Sequence, residues 1–135
     1  MTDLLDDVIS ERIPAVWSLP GGRIVALDDH AKPGAVLCGS FHPRHAGHDQ
    51  LAEAASRHLG CSVVFELTVR NADKPPLSRD EVDRRRRQFS TDSLLITNQP
   101  TFVEKARVIG NVVFVIGFDT AIRIIDPKFY GGTEE

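Results

Sequence analysis

The stretch Gly39-Ser40-Phe41-His42-Pro43-Arg44-His45-Ala46-Gly47-His48 lies at the junction of two elements that the sequence predicts. The apolar segment before it is short enough to be a fully buried strand. In the segment after it, apolar side chains recur at helical spacing. We therefore predict a strand over 35–41, a tight turn, and a helix over 46–58 that ends at Gly60.

A turn of this kind brings backbone N–H groups, the positive end of a helix dipole and two imidazoles into a small volume, which suits a polyphosphate. Two alternatives remain open. His42, His45 and His48 could hold a metal ion, although Pro43 breaks the helix that their spacing needs and no fourth ligand is evident. They could also be structural histidines of an ordinary turn. We predict a phosphate site and no metal site.

Strands and helices alternate along the rest of the chain. The capping pairs Ser78–Glu81 and Thr101–Glu104 mark two helix starts. This alternation indicates βαβ units and hence a Rossmann-like parallel sheet with helices on both faces. The predicted strands are 61–69, 93–97 and 112–116, and the predicted helices are 79–88, a segment from Thr101 to Gly110, and 120–125.

A second motif, Gly117-Phe118-Asp119, follows the last predicted strand. Ligands of such sheets bind at the carboxyl ends of strands, where the strand order reverses. If the strand before the histidines and the strand before Gly117 are neighbours, one crevice contains both motifs. Asp119 could then contact a ligand, or it could be only the N-cap of the final helix.

The region before residue 35 is less regular. We predict a short amphipathic helix before Pro14 and a short strand over 23–27. We interpret 1–34 as an appendage packed beside the main sheet, and 35–135 as the α/β domain.

The composition indicates a soluble globular domain. A net charge of −3 over 135 residues favours neither nucleic acid nor an anionic membrane as a partner. No apolar stretch approaches the ~18 residues of a membrane span. Cys38 and Cys61 lack a metal-site spacing and suggest reduced thiols in a cytoplasmic protein. The run 84–87 consists of four arginines without interleaved aromatics, and we interpret it as a solvated helix face.

The pattern Gly-Ser-Phe-x-Pro-x-His-x-Gly-His over 39–48 resembles the signature of the nucleotidyltransferase superfamily. That superfamily includes nicotinamide mononucleotide adenylyltransferases, pantetheine-phosphate adenylyltransferases and small cytidylyltransferases. Gly117-x-Asp119 is similar to the second nucleotide-contacting motif of the adenylyltransferases. The tracts 71–78 and 97–105 are similar to a cytidylyltransferase-like branch, so the resemblance extends over about 35–131.

The resemblance implies transfer of an adenylyl or cytidylyl group from ATP or CTP to a small phosphorylated acceptor such as nicotinamide mononucleotide. Pyrophosphate is released, and Mg²⁺ is carried with the triphosphate. His45 and His48 are then the catalytic residues, and Thr97 and Asn98 lie on the acceptor side. The nucleotide contacts implied are Gly39, Ser40, Phe41, Gly47, Gly117 and Asp119.

The sequence departs from that family in two places. His42 occupies a position that is usually Asn or Asp. The family's later Ile-Ser-[Ser/Thr]-Thr-x-[Ile/Val]-Arg segment has no counterpart here, so we expect a fragment or a natural minimal form whose sheet is incomplete at its C-terminal edge. An open edge could support a homo-oligomer. The alternative function is a nucleotide-binding module of the same fold with little or no activity.

Overall fold

A computed structural model of the chain describes residues 3–70 and 75–117. Within these ranges the protein has an α/β fold in which helices flank a six-stranded mixed sheet, as predicted for a Rossmann-like domain. The strands are β1 (Ala15–Ser18), β2 (Ile24–Ala26), β3 (Ala35–Gly39), β4 (Val63–Thr68), β5 (Leu94–Thr97) and β6 (Val113–Val115). The α-helices are α1 (Leu4–Ile9), α2 (Ala46–Leu59), α3 (Arg79–Arg86) and α4 (Phe102–Ile109).

The strand order is β2-β1-β5-β4-β3-β6. The four strands from β5 to β6 are parallel, as the alternation of strands and helices predicts. The strand β4 lies between β3 and β5, which explains why its sequence is almost continuously apolar.

The condition for a shared crevice is met, because β3 and β6 are neighbours. Ala35 lies opposite Val113, and Leu37 lies opposite Val115. The chain leaves β3 through α2 toward β4 on one side, and it returns from β5 through α4 to β6 on the other side. The strand order therefore reverses at the carboxyl end of β3. Asp119 and the predicted helix 120–125 lie outside the described residues.

Part of the segment before residue 35 belongs to the sheet itself rather than packing beside it. The strand β1 pairs antiparallel with β5 and with β2, and all four of its residues are buried. The helix α1 forms where it is predicted and packs through Leu5 and Val8 into the core. Burial of Trp17 against the sheet is the physical reason that β1 joins it.

The sheet buries apolar side chains on both faces. One core contains Leu37, Phe65 and Ile96 together with Ala52 of α2 and Val82 of α3. The opposite core contains Trp17, Leu95 and Ile109, the last of these from α4. Helices thus cover both faces, as expected. In the described ranges no helix has both the length and the apolarity that crossing a bilayer requires.

Candidate functional site: the histidine turn

Residues 40–45 connect β3 to α2, and we call this connection the histidine turn. Phe41 has a positive φ of 49° although it is not glycine, and its side chain is only 1% exposed. The Phe41 ring packs over Gly39, where an added Cβ would lie 3.0 Å from the ring's Cζ. A side chain at position 39 would therefore crowd the aromatic ring, which accounts for the glycine here.

His45 and His48 together form the start of α2. His45 is the N-cap residue, and its Nδ1 accepts the N–H of Gly47 at 3.1 Å. The Nδ1 of His48 accepts the N–H of His45 at 3.0 Å, so the two side chains satisfy two backbone donors reciprocally. Their rings stack with centroids 3.9 Å apart.

These bonds determine which ring atoms can bind a ligand. An Nδ1 atom that accepts a hydrogen bond carries no proton, so each neutral imidazole has its N–H at Nε2. His45 is exposed and His48 is partly exposed. The pair therefore has two Nε2–H donors for anion oxygens, and double protonation of either ring would break a capping bond.

The environment of His48 favours the neutral form. Burial lowers the pKa of His48 below its ordinary value of 6.5, and the neighbouring charges of His45 and Arg44 lower it further, whereas Asp49 opposes them. The rings of His48 and Phe41 form a T-shaped contact, with centroids 4.8 Å apart.

The absence of a side chain at Gly47 is explained by the position of the His45 ring. A Cβ added at Gly47 would lie 2.9 Å from Cε1 of His45 and 3.0 Å from its Nδ1. The missing side chain thus makes room for the His45 ring in its capping position. Whether Gly47 also allows close approach of a nucleotide remains a prediction.

Arg44 was not singled out from the sequence, yet it ties the turn to the core. Its guanidinium lies between two rings, with Cζ 4.7 Å from the centroid of Phe65 and 4.7 Å from that of Phe89. It also forms ion pairs with Asp49 at 2.6 Å and with Asp92 at 2.8 Å.

The arginine run 84–87 is not the uniformly solvated face that the sequence suggests. The side chain of Arg84 is 67% exposed, but those of Arg85 and Arg86 are only 14% and 19% exposed. They pair with Glu81 and Asp83 on the preceding turn of α3. Arg85 also donates to the carbonyl of Ser40 in the histidine turn, at 3.2 Å.

Thr97 and Asn98, predicted on the acceptor side, lie at the end of β5 and are 0% and 5% exposed. The Thr97 hydroxyl donates to Glu66, and the Asn98 amide donates to the carbonyls of Val8 and Ile13. Both side chains are thus engaged within the fold, and a role for them in acceptor binding remains a prediction.

A buried polar cluster supports this end of β5. The carboxylate of Glu66 is fully buried and accepts hydrogen bonds from Thr97 at 2.6 Å and from Thr68 at 3.0 Å. Lys105 of α4 lies 4.0 Å from it. Burial raises the pKa of Glu66, and Lys105 and the hydroxyl donors oppose that effect. The sequence signal for this cluster is one charged residue inside an apolar run.

The structure brings six of the predicted site residues together at the end of β3, and Gly117 follows the neighbouring strand β6. Among the described residues, a Cβ added at Gly117 would meet no atom within 4 Å. A cleft of about 280 Å³ adjoins the turn on the side of α3. In the described part of the chain no three His, Cys, Asp or Glu side chains are grouped so that they could hold a metal ion. The six residues are Gly39, Ser40, Phe41, His45, Gly47 and His48.

Comparison with known proteins shows a similarity to a curated fungal protein. The chain is 35% identical over 118 residues to a protein of Schizosaccharomyces pombe named "Putative nicotinamide mononucleotide adenylyltransferase". The match covers 77% of this chain and 47% of that relative, so the chain spans about half the relative's length. No protein-family model matches the chain, and no solved structure matches it significantly.

Proposed function

We propose that the chain is a nucleotidyltransferase. It transfers an adenylyl or cytidylyl group from ATP or CTP to a small phosphorylated acceptor such as nicotinamide mononucleotide, in the cytoplasm. The observation that carries the proposal is the stacked His45–His48 pair at the start of α2, at the point where the strand order reverses. The similarity to the Schizosaccharomyces pombe relative supports the same class of reaction.

The chemistry is an in-line displacement at phosphorus. An oxygen of the acceptor's phosphate forms a bond to the α-phosphorus, and the bond from that phosphorus to the α,β-bridging oxygen breaks. The electron pair leaves with pyrophosphate. Mg²⁺ enters as part of the nucleotide substrate and neutralises charge on the phosphate oxygens.

The chain's own residues act by positioning and by charge stabilisation. The Nε2–H groups of His45 and His48 donate to triphosphate oxygens as negative charge builds up. Because both Nδ1 atoms are held by the backbone, the rings are preorganised before the nucleotide binds. Gly39 and Ser40 offer backbone N–H groups at the end of β3, and Gly117 and Asp119 contact the nucleoside.

A second candidate is a module that binds a nucleotide without turning it over. The observation that favours it is the complete burial of Thr97 and the near-complete burial of Asn98, because buried and bonded side chains are poor contacts for a second substrate.

An activity assay separates the two functions. The chain is mixed with Mg-ATP or Mg-CTP and with nicotinamide mononucleotide, and both pyrophosphate and the dinucleotide product are measured. Product formation that His48→Asn abolishes supports the transferase. Saturable nucleotide binding without product from any phosphorylated acceptor supports the binding module. Absence of both in a folded chain contradicts the proposal.

A further inference from the structure

The helix α3 and the turn that follows it contact the histidine turn through Gln88. The side-chain amide of Gln88 donates to the carbonyl of Phe41 at 2.7 Å, and its oxygen accepts the N–H of Arg44 at 2.8 Å. One side chain thus binds the backbone on both sides of the intervening residues 42–43. The same amide donates to the carbonyl of Arg85 at 3.0 Å, which fixes its orientation.

Further bonds hold the same two residues. The guanidinium of Arg44 donates to the backbone carbonyl of Gln88 at 3.0 Å, in addition to its ion pairs with Asp49 and Asp92. The ring of Phe41 packs against Phe65 and Phe89. A positive φ at a residue other than glycine persists only where the surroundings fix it, and these contacts supply that constraint at Phe41.

Arg44 directly precedes His45, whose ring orientation depends on its own backbone and on the N–H of Gly47. Any displacement of the Arg44 backbone therefore moves the N-cap. Because His48 accepts the N–H of His45, the second ring follows the first.

We propose that Gln88 is a positioning residue for the histidine turn: by bonding the Phe41 carbonyl and the Arg44 N–H, it holds His45 and His48 with their Nε2–H groups ready for triphosphate oxygens. The part of this statement that concerns triphosphate rests on the proposed function. Gln88 itself contacts no reacting atom.

The test compares Gln88→Met with Gln50→Met in the full 135-residue chain. Methionine keeps the length of the side chain and removes all three of its hydrogen bonds. Gln50 is an exposed glutamine on α2, so it gives the matched change outside the turn. Three quantities are measured: helix content by circular dichroism, the imidazole ¹⁵N shifts of His45 and His48 by NMR, and the Kd for Mg-ATP and Mg-CTP.

We expect Gln88→Met to fold with unchanged helix content and to bind the nucleotide about tenfold more weakly, the fold-change expected when the displaced rings lose one hydrogen bond to the triphosphate. The ¹⁵N shifts should move from a single Nε2–H tautomer toward a mixture. Gln50→Met should keep both properties. A folded Gln88→Met with wild-type shifts and affinity would overturn the proposal.

The NMR measurement keeps the two proposals separable. If the wild-type chain binds neither nucleotide, the proposed function fails, and the ¹⁵N shifts alone decide whether Gln88 positions the rings. If Gln88→Met does not fold, Gln88→Glu replaces it, because glutamate keeps the acceptor for the Arg44 N–H and lacks the donor for the Phe41 carbonyl. Unchanged shifts in that folded variant would overturn the positioning role, and altered shifts would support it.

Discussion

The imidazoles of His45 and His48 stack with their centroids 3.9 Å apart, and each ring is fixed by a backbone N–H that donates to its Nδ1. The same two side chains therefore cap a helix and leave Nε2 as their donor to a ligand. The capping bonds of His45 and His48 therefore contribute both to the stability of α2 and to the geometry of the candidate site.

The capping role of His45 can be separated from its role as a ligand donor. His45→Ala should lower the free energy of unfolding by about 1 kcal/mol, because the N–H of Gly47 loses its acceptor. His45→Asn should keep wild-type stability, since asparagine is a preferred N-cap residue and its Oδ1 can replace Nδ1. Urea unfolding measures both. Equal losses of stability in the two variants would contradict the capping interpretation.

Gly47→Ala should weaken nucleotide binding while leaving the stability of the protein nearly unchanged. The new Cβ would contact the His45 ring at 2.9 Å and displace it, so nucleotide affinity should fall at least about tenfold. Alanine is the better helix former by up to about 1 kcal/mol, which offsets the lost cap, so the free energy of unfolding should stay within about 1 kcal/mol of wild type. Titration calorimetry and urea unfolding give the two values. Retained affinity would show that the His45 ring position is unimportant.

Arg44→Lys should lower the free energy of unfolding by about 1–3 kcal/mol, because lysine cannot fill the space between Phe65 and Phe89 and bridge the two aspartates at once. The matched control is Arg57→Lys, an exposed pair with Glu53 on the same helix α2. That change should cost no more than about 0.5 kcal/mol. Chemical denaturation of both variants is the measurement, and similar small losses would show that Arg44 is only a surface cation.

Glu66 should make stability depend on pH. Burial raises its folded pKa above 4.5, so its contribution to stability is fully present below that value and is lost as the pH rises through the folded pKa. Glu66→Gln cannot ionise and should lack this loss. The unfolding free energy of the variant should therefore rise relative to that of wild type as the pH increases above 4.5. Glu53→Gln, at a 69% exposed position, is the control. If the free energy of unfolding of Glu66→Gln and of wild type changed with pH in the same way, ionisation of Glu66 would have no effect on stability.

The sequence predicts those parts of the fold that depend on local spacing. The helix predicted over 46–58 extends over Ala46–Leu59 and ends at Gly60, which has φ 69°. The capping roles of Ser78 and Thr101 are confirmed, because their hydroxyls accept the N–H groups of Glu81 and Glu104. The sheet order could only be stated as a condition, because strand adjacency depends on the path of the whole chain.

Contacts between distant residues could not be predicted in this way. Gln88 and Arg44 are 44 positions apart, and nothing in the local pattern around either residue indicates the bond between them. The burial of Arg85 has the same origin: the direction of a helical side chain depends on how α3 packs against the turn. Glu66 did leave a local signal, yet its hydrogen-bond donor Thr97 lies 31 positions away.

The proposed function requires that the Nε2–H groups of His45 and His48 bind a nucleoside triphosphate. The most direct test is calorimetric titration of Mg-ATP, and separately of Mg-CTP, into wild type, His48→Asn and His58→Asn. In His48→Asn the Oδ1 of the new asparagine can still accept the His45 N–H, but that side chain has no group at the Nε2 position. His58, in contrast, is an exposed histidine at the far end of α2. We predict saturable binding of one nucleotide to wild type and to His58→Asn, and loss of that binding in a folded His48→Asn. Equal binding in all three proteins, or none in the folded wild type, would contradict the claim.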